Sequence, residues 1–377
     1  MSRIVTLLPI IASLAIPSLT PIDLNKPRAG RIVSASTKQW HLGFLHATQA
    51  QRSSQGTGVV VAVLDTGVAA HPALIPNLLN GADVTPGGSG NGQRDTNGHG
   101  TAMAGLIAAT SDGSSKTLQG IAPRAKILPV IVAPPNGQGD ADSLADGIDF
   151  AVSRGATVIS ISSVGGVTQR LVRAVNSAIM ANVTLVASAG NRPADGYVGY
   201  PASEPAVIAV GGVDRNGNHA AISVSGPEID VVAPAVDIYS TGLNGGYRVG
   251  TGTSDATAIV AGAAALIRSK YPNLPAAEVA HRLTATAVDK GPPGRDDQYG
   301  YGVIDLVAAL TADVPPLGFE STGVTAPAPT AAAPDAGGDN STARGLATLG
   351  ALLAAGGAYL VWRRRRRADG PPPRISR

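Results

Sequence analysis

Residues 59–68 read VVVAVLDTGV and residues 184–191 read TLVASAGN. Both are near-continuous apolar runs, rich in β-branched residues, that break off at a polar side chain beside a glycine. A strand with one wet face alternates apolar and polar residues; a run without alternation marks a strand covered on both faces. Further runs of this kind lie at 125–133, 156–161 and 207–210. Helical patterns separate several of them, at 100–109, 140–153 and 168–181, and a helix pair follows at 254–270 and 275–287. Strands alternating with such helices predict an α/β fold with a mostly parallel central sheet and helices on both faces. In sheets of this type a site forms at the carboxyl ends of the strands.

Three polar segments fall at such ends. Asp65 closes the run at 59–64. In DTNGHGTAMAG, residues 95–105, His99 stands between two glycines and opens a helix. In GTGTSDATAIVAGAAALI, residues 250–267, Ser254 follows a glycine-rich turn at the start of a long apolar helix. Free backbone N–H groups and the positive end of the helix dipole surround a hydroxyl placed there. Ser, His and Asp together can make a nucleophile: the imidazole takes the serine proton, while the carboxylate fixes the tautomer and stabilises the imidazolium. The oxyanion that develops needs donors already in place, and Asn191, at the end of TLVASAGN, is the candidate.

Each segment also has a plainer reading. An Asp before Thr-Gly is commonly a turn residue, a Ser before a helix an N-cap, a His between glycines a surface loop residue. The weight lies in their joint occurrence, in the order Asp, His, Ser, within one parallel α/β body. An α/β-hydrolase would need a G-x-S-x-G elbow and the order Ser, acid, His. Six His without HExxH, and no Cys, give no metal hydrolase.

VAVLDTGV, NGHGTAMAG, ASAGN and GTGTSDATA resemble the signature segments of the subtilase family of serine peptidases, and the likeness spans roughly residues 38–310. The resemblance implies a subtilisin-like three-layer fold. It places Asp65 as orienting acid, His99 as general base, Ser254 as nucleophile and Asn191 as oxyanion donor. VISISSVGG, residues 158–166, is similar to the family's substrate-binding strand, with Ser163, Val164 and Gly165 as the contacts. The chain departs from the pattern at Asp255 and Ala258, where the family has a bulky apolar residue and a proline, and at Ala102, where it usually has His. No cofactor or metal is implied; Asp140, Asp142 and Asp146 read as the first turns of a helix.

Outside the body the chain changes character. Residues 1–20 combine Arg3 with an apolar run and read as an export signal, possible also as an uncleaved anchor. Residues 21–50 form an N-terminal extension too short for a separate folding domain; RAGRIVSASTKQWHLGFL, residues 28–45, is expected to pack on the peptidase domain, 51–312, with Trp40 buried. Residues 313–344 are a Pro/Ala-rich spacer. Residues 345–362, GLATLGALLAAGGAYLVW, suit a transmembrane helix, and the five arginines after them a cytoplasmic end. Residues 363–377 hold seven Arg and one Asp, a local +6 within a net +3, so the preceding residues sum to −3. A body without excess cations excludes nucleic acid as a partner. The absence of cysteine excludes disulfides and thiol catalysis.

These readings predict a single-pass membrane protein with an extracytoplasmic serine endopeptidase domain acting on protein or peptide substrates. Signal, subtilase body, spacer, span and Arg-rich tail together resemble the mycosins, subtilases tied to type VII secretion in actinobacteria, which implies secretion components as partners. The rival from another class is a catalytically silent subtilase-like scaffold at a membrane secretion complex.

Overall fold

The computed structural model describes residues 38–110, 118–163 and 166–318. The export signal, most of the spacer, the 345–362 span, the Arg-rich tail, Val164 and Gly165 lie outside the described residues.

In chain order the helices are α1 Trp40–Phe44, α2 Ala47–Ala50, α3 His99–Ala108, α4 Ala141–Ser153, α5 Gln169–Met180, α6 Thr253–Lys270, α7 Ala276–Ala285 and α8 Leu306–Thr311. The strands are β1 Val60–Asp65, β2 Ala82–Asp83, β3 Lys126–Ile131, β4 Val158–Ile161, β5 Thr184–Ser188, β6 Ile208–Val213, β7 Val231–Pro234, β8 Ile238–Thr241 and β9 Tyr247–Gly250. The first seven strands form one sheet in the order β2-β3-β1-β4-β5-β6-β7, and every pairing in it is parallel. β8 and β9 make a separate antiparallel hairpin.

This is the doubly covered parallel sheet that the unalternating runs predict. Residues 61–65 of β1 and all of β4, β5 and β6 are buried. α4 and α5 pack together over one face, and α3 and α6 over the other. α6 lies across β4 to β7, which is why Thr253 to Arg268 are buried throughout and no polar stripe appears in its sequence. At about 25 cal/mol per Å² of apolar surface removed from water, a helix so enclosed is held by packing more than by its own propensity.

Helix ends follow local chemistry. Asp140 caps α4 by accepting from the N–H groups of Asp142 and Ser143 at 2.9 and 2.8 Å, and Thr168 caps α5 through Leu171 N–H at 3.2 Å. Asp146 pairs with Arg170 across these two helices.

The extension packs on the body from Lys38 onward. Trp40 is half-buried rather than enclosed, because its indole N–H reaches out to the carbonyls of Val236 and Asp237, each at 3.2 Å. The residue wholly enclosed is its neighbour, His41. Neither ring nitrogen of His41 has a partner among the described residues. Burial holds its pKa down at about 3, so the ring is neutral. Among the described residues no helix is long and apolar enough to cross a membrane.

Candidate active site

β1 delivers Asp65 to the carboxyl edge of the sheet at 6 % exposure. Such a carboxylate is costly unless it is met by donors, and it is met: Thr66 N–H donates to Oδ1 at 2.8 Å, and His99 Nδ1 lies 2.8 and 2.9 Å from the two carboxylate oxygens. The Asp65 charge, first of all, pushes the His99 pKa up against the opposing effect of burial; Asp255 adds to the rise and Arg248 opposes it. With Nδ1 donating to the carboxylate, Nε2 carries the lone pair and can accept a proton.

His99 is held from below. Asp95, unmarked by the sequence reading, accepts from Asn97 N–H, Gly98 N–H, Thr101 N–H and Thr101 Oγ1 at 2.9, 2.8, 3.0 and 2.6 Å. Its Oδ1 also accepts from Thr66 Oγ1 at 3.0 Å, linking the turn before α3 to the end of β1. A side chain at Gly100 would stand 2.2 Å from the Gly67 carbonyl and 3.0 Å from Asp65 Cβ, so only glycine lets α3 approach β1 this closely. Asp95 was legible in principle: an acid a few residues ahead of an apolar helix is a capping signal.

Ser254 lies one residue inside α6, behind Gly252 at the N-cap. The plain N-cap reading does not apply, since the cap residue is a glycine and the Ser254 hydroxyl donates no hydrogen bond among the described residues. Asn191 is fixed beside it. Its Oδ1 accepts from Thr253 N–H at 2.8 Å and Thr253 Oγ1 at 3.2 Å, which leaves the Nδ2 hydrogens available. A Cβ at Gly252 would sit 3.1 Å from Ser254 Oγ and 3.7 Å from Asn191 Nδ2, so the glycine keeps the space between them clear.

Asp255 follows Ser254 at 4 % exposure, its carboxyl packed against Gly250. Burial pushes its pKa up to about 6, tempered by the charges of His99 and Arg248 and by its own backbone N–H. A cleft of about 540 Å³ runs past the site and is lined by Asp65, His99, Ser162, Ser163, Ala194 and Asp195 among others. Among the described residues no group of three or more His, Asp or Glu could hold a metal ion.

Over residues 56–302 the sequence matches the subtilase family of peptidases. The thermostable alkaline protease of Halalkalibacterium halodurans is 38% identical over 291 residues, 76% of each chain. Subtilisin DY of Bacillus licheniformis is 39% identical over 282 residues, 73% of this chain and 99% of that one. Among solved structures, MycP1 from Mycobacterium smegmatis superposes with a TM-score of 0.65 at 30% identity, covering 73% of this chain and 85% of its own. The MycP3 protease from the type VII (ESX-3) secretion system gives 0.64 at 32%, covering 73% and 88%. A parallel sheet covered on both faces, with a His–carboxylate pair at its carboxyl edge, is the architecture of an α/β serine peptidase. The chain belongs to the subtilase family and is a subtilisin-like serine endopeptidase.

Proposed function

We propose that Asp65, His99 and Ser254 act as the catalytic triad and Asn191 as the side-chain oxyanion donor, in an extracytoplasmic enzyme tethered by its C-terminal segment. The observation that carries this is the pairing of His99 Nδ1 with both oxygens of a buried carboxylate at 2.8 and 2.9 Å. His99 Nε2 takes the Ser254 proton as Oγ attacks the scissile carbonyl, and the Asp65 charge stabilises the imidazolium so formed. Asn191 Nδ2 and the backbone N–H of Ser254, at the first turn of α6, meet the oxyanion. The imidazolium then returns its proton to the leaving amine, and water repeats the sequence on the acyl-enzyme.

The apolar 345–362 segment with its Arg-rich end supports the tether. Likeness to the MycP1 and MycP3 structures supports a place beside type VII secretion components. Hydrolysis of an unfolded protein by the full chain, compared with Ser254→Ala and His99→Ala, tests the triad. Activity surviving either substitution would refute it. Alkaline extraction of membranes tests the tether: full-length protein should stay in the pellet and a chain ending at residue 344 should be released.

A further inference from the structure

Two cavities meet beside Asn191. The larger is the cleft of about 540 Å³ that holds Asp65 and His99. The smaller, about 250 Å³, lies between Val167 and the segment running from Ala194 to Ser203. They share Ala194 and Asp195. At roughly 30 Å³ per liquid water, the smaller cavity has room for a long side chain. Because Ser254 Oγ and the Asn191 amide flank one clear space, the scissile carbonyl belongs between them. The residue that owns this carbonyl carries its side chain one bond away, beside the segment that leaves Asn191.

The charge in these cavities is one-sided. Asp195 is the one ionic side chain among the described residues lining the smaller cavity. In the larger one the other carboxylates are committed, Asp65 to His99 and Asp140 to the start of α4. No Lys or Arg lines either cavity among the described residues, and Arg192 is exposed and outside both linings.

Asp195 is held without being used up. Its N–H donates to Asn191 O at 2.9 Å and its Oδ2 accepts from Asn191 N–H at 2.6 Å, while Oδ1 accepts nothing among the described residues. In the wall of the smaller cavity, the buried Tyr200 hydroxyl has no partner among the described residues either. Burial, with the nearby Glu204 charge, raises that phenol to about 12, so it stays neutral. An aliphatic side chain entering here would leave the second Asp195 carboxylate oxygen unpaired. A Lys or Arg side chain would lay its apolar stem along the cavity wall and bring a charged donor to that oxygen.

We propose that Asp195 makes this peptidase selective for Lys or Arg as the residue on the acyl side of the scissile bond. The proposal rests on the triad reading and adds the substrate class. Its test is kcat/KM of the full chain for matched fluorogenic peptides that differ only at that residue, with Lys, Arg, Leu, Ala or Glu. Lys and Arg peptides should exceed the Leu peptide by tenfold or more. Asp195→Asn keeps a side-chain oxygen for Asn191 N–H but drops the charge. It should lose roughly 10- to 100-fold more on Lys and Arg, the size of a hydrogen bond to a charged group, than on Leu and Ala. A profile that favours Leu, or an equal loss on every peptide, would overturn the proposal and leave Asp195 a staple for the Asn191 loop. An uncharged fluorophosphonate separates the two levels. Labelling of Ser254 with a flat peptide profile rejects the specificity alone; no labelling rejects the triad reading, and the proposal with it.

Discussion

Asp65 and Asp255 are two buried carboxylates of one site, on opposite sides of its chemistry and held in opposite ways. Asp65 ends a strand, where Thr66 N–H and His99 Nδ1 meet it at 2.8 Å. Asp255 stands in the first turn of α6, where its backbone N–H donates to the Gly252 carbonyl at 3.1 Å, and burial lifts its carboxyl pKa to about 6 against the charges of His99 and Arg248. His41 in the N-terminal extension is enclosed, has no partner at either ring nitrogen among the described residues, and is held neutral by burial. A buried carboxylate met by donors can serve catalysis, whereas a group whose pKa burial shifts on folding makes stability depend on pH.

The largest expected effect comes from breaking the paired side. Asp65→Asn leaves the shape but lets the imidazole adopt the wrong tautomer, and kcat/KM for peptide hydrolysis should fall by on the order of 10⁴-fold. Next is His41. Its folded pKa of about 3 lies below the unfolded 6.5, so the unfolded chain binds the extra proton and stability is lost as pH falls from 6.5 toward 3. At about 1.4 kcal/mol per unit this amounts to roughly 4–5 kcal/mol. His41→Leu should therefore flatten the acid side of Tm against pH in calorimetry; an unchanged acid slope would mean that His41 is partnered in solution.

Asn191→Ala should lower kcat by about 10²–10³ with little change in KM, as for one donor aimed at a developing oxyanion. Asp255→Asn should have the smallest effect. Here the folded pKa of about 6 lies above the unfolded value, so the fold holds the extra proton and stability falls as pH rises through roughly 4 to 6. The variant should gain about 2–3 kcal/mol at pH 8 relative to its effect at pH 4, read by denaturant titration at the two pH values. Its acid limb of kcat/KM should move to lower pH, because Asp255 helps to raise His99.

Much of the sheet was legible because strands buried on both faces must be apolar throughout, and β1, β3, β4, β5 and β6 announce themselves that way. β7, β8 and β9 did not, being four residues each and set among Pro and Gly. Asp65, His99, Asn191 and Ser254 could be picked out at element ends, whereas Ser163 came from the resemblance of 158–166 to the family's substrate-binding strand. Asp95 offered only a capping signal, not its link to Thr66 across the site; Thr253 and Asp195 could not be assigned roles, because these lie in partners brought close by the fold, Asn191 beyond the end of β5 and a cavity wall. Trp40 shows the same limit. Its size predicts burial, but its indole N–H is drawn to two carbonyls nearly two hundred residues away, and the smaller His41 takes the enclosed place.

The most direct test of the site is covalent. Full-length protein, treated with a fluorophosphonate and followed by intact mass and peptide mapping, should carry a single adduct on Ser254, absent from Ser254→Ala and slowed on the order of 10³-fold or more in His99→Ala. An adduct at another serine, or equal labelling of the His99→Ala protein, would contradict the triad.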